Sequence, residues 1–238
     1  MKNIDGINLA LYLKSIHHLN KGDYESLKLS LTKISPDGID SYIIPILQAW
    51  TSAGLRNHEE AIRHLNNQAD KGILSPIYDY HLALINDWLG EYSSAKQKYE
   101  DAITKNNTPN AKLFISASSF FERRQLYELR DLVNKKFKRT MPDSSELLIF
   151  ETKNNKFNPS TPLVTNIREG IAETFLNTSE ILYNEGLVTQ AIIYSQIAYF
   201  LNRDLDNAKL ILGNIFKANQ NYDRAIKYYK SCLLYTSD

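Results

Sequence analysis

A single cysteine, Cys232, leaves no partner for an internal disulfide and none of the cysteine clusters that hold structural zinc. Charge of one sign is also lacking. The 28 basic and 27 acidic residues are well mixed and give a formal net charge of +1, which removes the electrostatic case for nucleic acid or an anionic membrane as main partner. No apolar run approaches the ~20 residues needed to cross a bilayer, and none is expected to insert. Met1 to Leu13 carries Asp5 and no cleavage-type signal. This stretch alone therefore reads as cytoplasmic, with a periplasmic or envelope location open if sequence precedes it. The GxxxxGK[ST] phosphate loop, the GxGxxG fingerprint, the GxSxG elbow and the CxxC pair are all missing. His17, His18, His58, His64 and His81 show no zinc spacing and read as surface or packing residues. No cofactor, no metal and no catalytic group is expected, so the chain reads as a non-enzyme.

What is present is a period of 34 residues. A turn of the form Gly-x-aromatic-x-x-small appears as Gly22-Asp23-Tyr24-Glu25-Ser26-Leu27 and returns as Gly90-Glu91-Tyr92-Ser93-Ser94-Ala95. A weaker copy, Arg56-Asn57-His58-Glu59-Glu60-Ala61, lies between them. Leu27, Ala61 and Ala95 keep the spacing and Leu129 is the next step; Ala191 and Ala225 repeat it near the end, as do Gly186 and Gln220. Seven residues before each turn position stands a small residue: Ser15, Ala49, Ala83, Ala117, Ser179 and Gly213. Small side chains in register let the second helix of a hairpin cross close to the first. The turn glycine supplies a backbone conformation that a side chain hinders.

This pattern predicts an all-α fold, an alpha-alpha superhelix of antiparallel helix hairpins. First helices are expected near 8–21, 42–55, 76–89, 110–123, 172–185 and 206–219. Second helices are expected near 24–35, 58–70, 92–105, 126–137, 188–201 and 222–235. Four hairpins fill a block over 8–137 and two fill a block over 170–235. Between them, 138–169 reads as an irregular insertion, punctuated by Pro142, Pro159 and Pro162, with one short helix over Ser144 to Glu151. The insertion is expected to pack as a structural element, to plug a groove, or to link the two blocks.

The stretches YDYHLALINDWLGEYSSAKQKYEDAITKNN from Tyr78 and NAKLILGNIFKANQNYDRAIKYYKSCL from Asn207 resemble the tetratricopeptide repeat (TPR) family, down to Leu212-Gly213, Tyr222 and Ala225. Arg56, Arg124 and Gln220 depart from the family's turn glycine. More narrowly, Ala191 to Tyr229 resembles a group of long, poorly characterised alphaproteobacterial TPR proteins, of which this chain would be a fragment. The closing residues 232–238 look foreign to the repeat, so Cys232 is given no role.

The resemblance implies a scaffold that binds a protein or peptide on the concave face formed by the first helices. By register, the inward candidates are Tyr12, Ile46, Trp50 and Tyr80, followed by Leu84, Phe114, Tyr183 and Asn214. Such a groove holds an amphipathic helix or an extended peptide through a few aromatic anchors. That reading expects Trp50, Tyr80 and Phe114 partly exposed. A structural spacer within a longer repeat protein expects them buried. A polysaccharide-binding face expects exposed, aligned rings beside amides such as Asn86 or Asn214. The carboxylate grip of chaperone-binding TPR domains is not expected, since only Asn214 fits it.

Overall fold

The computed structural model describes residues 4–69, 75–105, 110–144, 147 and 162–232, and among them it contains twelve helices and no strand. They are α1 (Ile4–Asn20), α2 (Tyr24–Leu31), α3 (Asp40–Gly54), α4 (His58–Ala69), α5 (Ser75–Leu89) and α6 (Tyr92–Lys105). The series continues with α7 (Ala111–Arg123), α8 (Tyr127–Thr140), α9 (Ile167–Asn184), α10 (Val188–Leu201), α11 (Asp206–Ala218) and α12 (Tyr222–Lys230). Each lies where the 34-residue period puts a helix. The short helix expected over 144–151 falls, apart from Ser144 and Leu147, outside the described residues.

The turns explain why the helices stop where they do. At Gly22, Gly90, Gln125, Gly186 and Gln220 the backbone φ is positive, between +59° and +86°. The residue after each donates its N–H to the carbonyl five positions back, as Asp23 does to His18 (3.0 Å) and Glu91 to Asn86 (2.8 Å). This left-handed residue with its paired return bonds closes the last turn of the first helix. At two of these turns the following residue then starts the second helix by capping it. Asp23 accepts from Ser26 N–H (3.0 Å) and Asn221 from Arg224 N–H (3.3 Å). Asn57, which follows the positive-φ residue Arg56, does the same for Glu60 N–H (3.1 Å).

The fourth turn corrects the sequence register. Arg124 has φ −94° and is still the helix cap; the left-handed residue is Gln125, one position later than the period requires. Arg130, not Leu129, therefore takes the place that Ala95 holds in the repeat before, donating to Leu126 as Ala95 does to Glu91. Gln125 and Gln220 carry side chains in a conformation that disfavours them by about 1–2 kcal/mol. Gln220→Gly is thus expected to raise stability by up to about 1 kcal/mol, less the added freedom of the unfolded chain. A higher urea midpoint with unchanged slope is the check.

Contacts divide the chain into two compact units: residues 1–55 with 167–238, and residues 56–166. This line differs from the sequence blocks 8–137 and 170–235. In the second unit each helix packs on the next, from α4 to α8. Tyr99, Phe120 and Phe121 form its aromatic centre, and Phe114 stacks on Phe137 at 5.1 Å. In the first unit α1, α2 and α3 pack in series, and α3 then packs on α9, which leads to α10, α11 and α12. The pairing of α3 with α9 joins helices far apart in sequence. It is made by Gly170, which lies flat under the Trp50 indole, and by Ile167 beside Gly54.

Candidate binding surface

The eight candidates from the sequence divide between the units. Tyr12, Ile46, Trp50, Tyr183 and Asn214 lie in the first, and Tyr80, Leu84 and Phe114 in the second. Six of them are buried, with Trp50 at 0%, Tyr80 at 2% and Phe114 at 4% exposure. Trp50 covers Gly170 and Phe114 stacks on Phe137. Tyr183 is half-buried, and Asn214 is exposed and accepts from the Tyr229 hydroxyl (2.6 Å). Asn86 is buried and bonded to His58 (3.0 Å). Aromatic side chains on the first helices thus fill the interior of their units.

Tyr12 shows what they do there. Its ring meets Phe175 at 5.5 Å and Tyr194 at 6.1 Å, both edge-on. Its hydroxyl donates to Asp40 Oδ1 (2.7 Å), which also accepts from Tyr194 (2.9 Å), while Asn8 Nδ2 donates to Oδ2 (2.6 Å). Four side chains from α1, α3 and α10 thereby satisfy one another in a buried site, where a polar group left alone is costly. Burial, together with Tyr194 and the Asp40 carboxylate, pushes the Tyr12 phenol far above its ordinary value. A phenol whose folded value is raised contributes stability in full below the unfolded value, near pH 10. That contribution is lost progressively as pH rises from there toward the folded value. The urea midpoint is expected to fall steeply above about pH 10, and Tyr12→Phe to flatten that fall while lowering stability at neutral pH.

An open apolar surface exists elsewhere in the first unit, walled by none of the eight candidates. A cavity of about 490 Å³ runs between α1 and α10, walled by Leu9, Leu13 and Ile16 on one side and Ile193, Ile197 and Phe200 on the other. Leu13 is 55% exposed and Phe200 46%. His17, Asn20 and Gln196 edge it. The wall residues recur at three- and four-residue steps, so each helix offers one row of ridges. The sequence signal for it is the stretch from Val188 to Leu201, VTQAIIYSQIAYFL, which is uncharged and carries apolar residues on every side. A helix apolar all round is normally enclosed on all sides; this one leaves Phe200 bare.

Buried charges in the second unit are paired. Arg123 binds Asp87 through both terminal nitrogens, one at 3.1 Å. Lys98 Nζ lies 3.0 Å from Asp79. Arg56 sits over Trp88, whose indole N–H donates to the Thr165 carbonyl (3.0 Å). Among the described residues no group of three or more His, Cys, Asp or Glu side chains could hold a metal, and no helix is long and apolar enough to cross a membrane.

Twelve helices in hairpins closed by left-handed turns define a TPR-like, all-α repeat fold. No family model and no curated protein matches the chain. Among solved structures, it is similar to a tetratricopeptide repeat protein from Parabacteroides merdae ATCC 43184, at 15% identity over 97% of this chain and 94% of that one, with a TM-score of 0.44. MamA from MSR-1 aligns at 15% identity over 77% of this chain and 90% of its own, with a TM-score of 0.31. MamA from AMB-1 aligns at 14% identity over 81% and 90%, with a TM-score of 0.33.

Proposed function

We propose that the chain is a non-enzymatic scaffold that holds a protein or peptide, and that the groove between α1 and α10 is its contact surface. The observation that carries this is the exposure of Leu13 and Phe200 on facing walls of an open cavity of about 490 Å³. Bare apolar side chains gathered on a concave surface are what a binding surface needs and what a solvated surface avoids. Of the first-helix candidates, Tyr183 and Asn214 remain accessible and are proposed as a minor contact only. The test is capture of binding partners by the parent chain and by a Leu13→Glu, Phe200→Glu variant, after circular dichroism has matched their helix content. A partner held by the parent and released by the variant is expected; equal capture by both would sink the assignment.

The burial of Trp50, Tyr80 and Phe114 favours a second reading, a spacer within a longer repeat protein. It expects the two charges to change nothing that is captured.

A further inference from the structure

We infer that the occupant of the α1–α10 groove is a second copy of this chain, bound face to face about a two-fold axis. The inference rests on the groove reading above and names the partner. Both walls carry the same pattern. On α1 the residues Gly6, Ala10, Leu13 and His17 stand at steps of four, three and four, and all are exposed. On α10 Thr189, Ile193, Gln196 and Phe200 repeat those steps, with only Ile193 half-buried. Alternating steps of four and three average to a period of about 3.5, the spacing by which helices interlock side by side in bundles. Leu13, His17, Ile193, Gln196 and Phe200 also line the cavity, so the two rows and the groove between them form one continuous face.

Two ridges flanking one groove make a self-complementary shape. Related by a two-fold axis, each copy lays a ridge into the other's groove, and every contact occurs twice. The product is a bundle of four helices, α1 and α10 from each chain. The small Gly6 and Ala10 keep the helices close, while Leu13 and Phe200 supply the bulk that fills the grooves.

Charge decides between a second copy and a foreign helix. None of the eight row residues is Lys, Arg, Asp or Glu. The whole of α10 has no such residue, and α1 has only Asp5 and Lys14. A face charged with one sign repels its own copy, whereas a foreign partner is ordinarily selected by charges of opposite sign. This face carries neither the obstacle nor the selector. Beyond its ends the signs are mixed, Lys21 with Asp23, Arg203 with Asp204 and Arg168 with Glu169, so pairing brings no like-charge field together. An interface core poor in charge and rich in apolar surface is the pattern of association between identical chains.

The area fits as well. The 17 residues of α1 run about 25 Å, and two helices abreast measure about 20 Å, a footprint of about 500 Å². Side-chain relief adds to that, so pairing buries close to the roughly 600 Å² per partner at the lower end of specific interfaces. A single third helix would fill the groove and leave Gly6, Ala10 and Thr189, which lie outside the cavity lining, uncovered.

The test is sedimentation equilibrium of the full chain over about 1–200 μM, the range in which weak interfaces of this size are half-formed. The mass is expected to rise from one chain to two. Gln196→Glu and Gln196→Lys chains, matched to the parent in helix content by circular dichroism, are each expected to dimerise about tenfold more weakly or worse. An equal mixture of the two is expected to recover the dimer. A parent that stays a monomer throughout, or a dimer indifferent to charge at 196, would overturn the second copy as occupant. The groove reading then rests on the capture experiment. A foreign partner lost on Leu13→Glu with Phe200→Glu keeps it, and the absence of such a partner ends both.

Discussion

Gly170→Ala is expected to destabilise the first unit by about 2 kcal/mol, in a position where alanine would otherwise help the helix. A Cβ at 170 would lie 2.4–2.5 Å from three atoms of the Trp50 indole, far inside van der Waals contact. Trp50 has no exposed surface, so the ring has nowhere to move. Alanine returns about 1 kcal/mol over glycine in a helix interior, and the overlap outweighs it. Gly170→Leu should prevent α9 from seating on α3 at all. The check is chemical denaturation of Gly170→Ala, Trp50→Leu and the double variant. The double variant is expected to be more stable than the sum of the single effects predicts, because the smaller side chain at 50 makes room for the methyl. Additive losses would show that the two residues do not press on each other.

Asp87→Ala should cost the second unit about 3–5 kcal/mol, the loss expected when one partner of a buried ion pair is removed. Arg123 and Asp87 side chains are 8% and 4% exposed. Arg123 Nε has no hydrogen-bond partner among the described residues, so the guanidinium depends on that one carboxylate. The charge would be stranded beside Phe120, whose ring face at 5.8 Å offers only weak compensation. Replacing both residues, as Asp87→Leu with Arg123→Met, should be far milder than either single loss, since no buried charge then remains. Urea unfolding of the three variants decides it; a double variant as unstable as Asp87→Ala would assign the loss to packing instead.

Much of the fold was legible because tandem repeats write their geometry into spacing. The small residues from Ser15 to Gly213 placed the hairpins, and Ser15 and Ser179 bond across them to Ser30 and Ser195, both at 2.8 Å. The slip at Gln125 was hidden because the small residues Ala117 and Ser118 are adjacent, and either can be read as in register. The α3–α9 pairing was illegible for a different reason. A period reports which helices are neighbours along the chain, whereas this contact joins helices separated by the whole second unit.

The proposed binding surface was the least legible. Register marks a face of a helix without saying whether another helix covers it. Trp50, the strongest ligand candidate by residue type, is spent on Gly170, a glycine inside a helix that propensity alone would have advised against. Leu13 and Phe200 hold no position that the repeat marks, and what distinguishes them among the described residues is their exposure.

The first unit takes α1–α3 from before residue 56 and α9–α12 from after residue 166. A ribosome therefore finishes every helix of the second unit while the first is half made. At about 5–20 residues per second, Asp40 and Trp50 emerge roughly 6–30 seconds before Tyr194 and Gly170 arrive to meet them. For that interval the nascent chain shows a large indole without its glycine, and Asp40 has Tyr12 and Asn8 but not Tyr194. The time this protein spends at risk of aggregation is set by how long translation takes to cross the 111 codons between the two halves of its first unit.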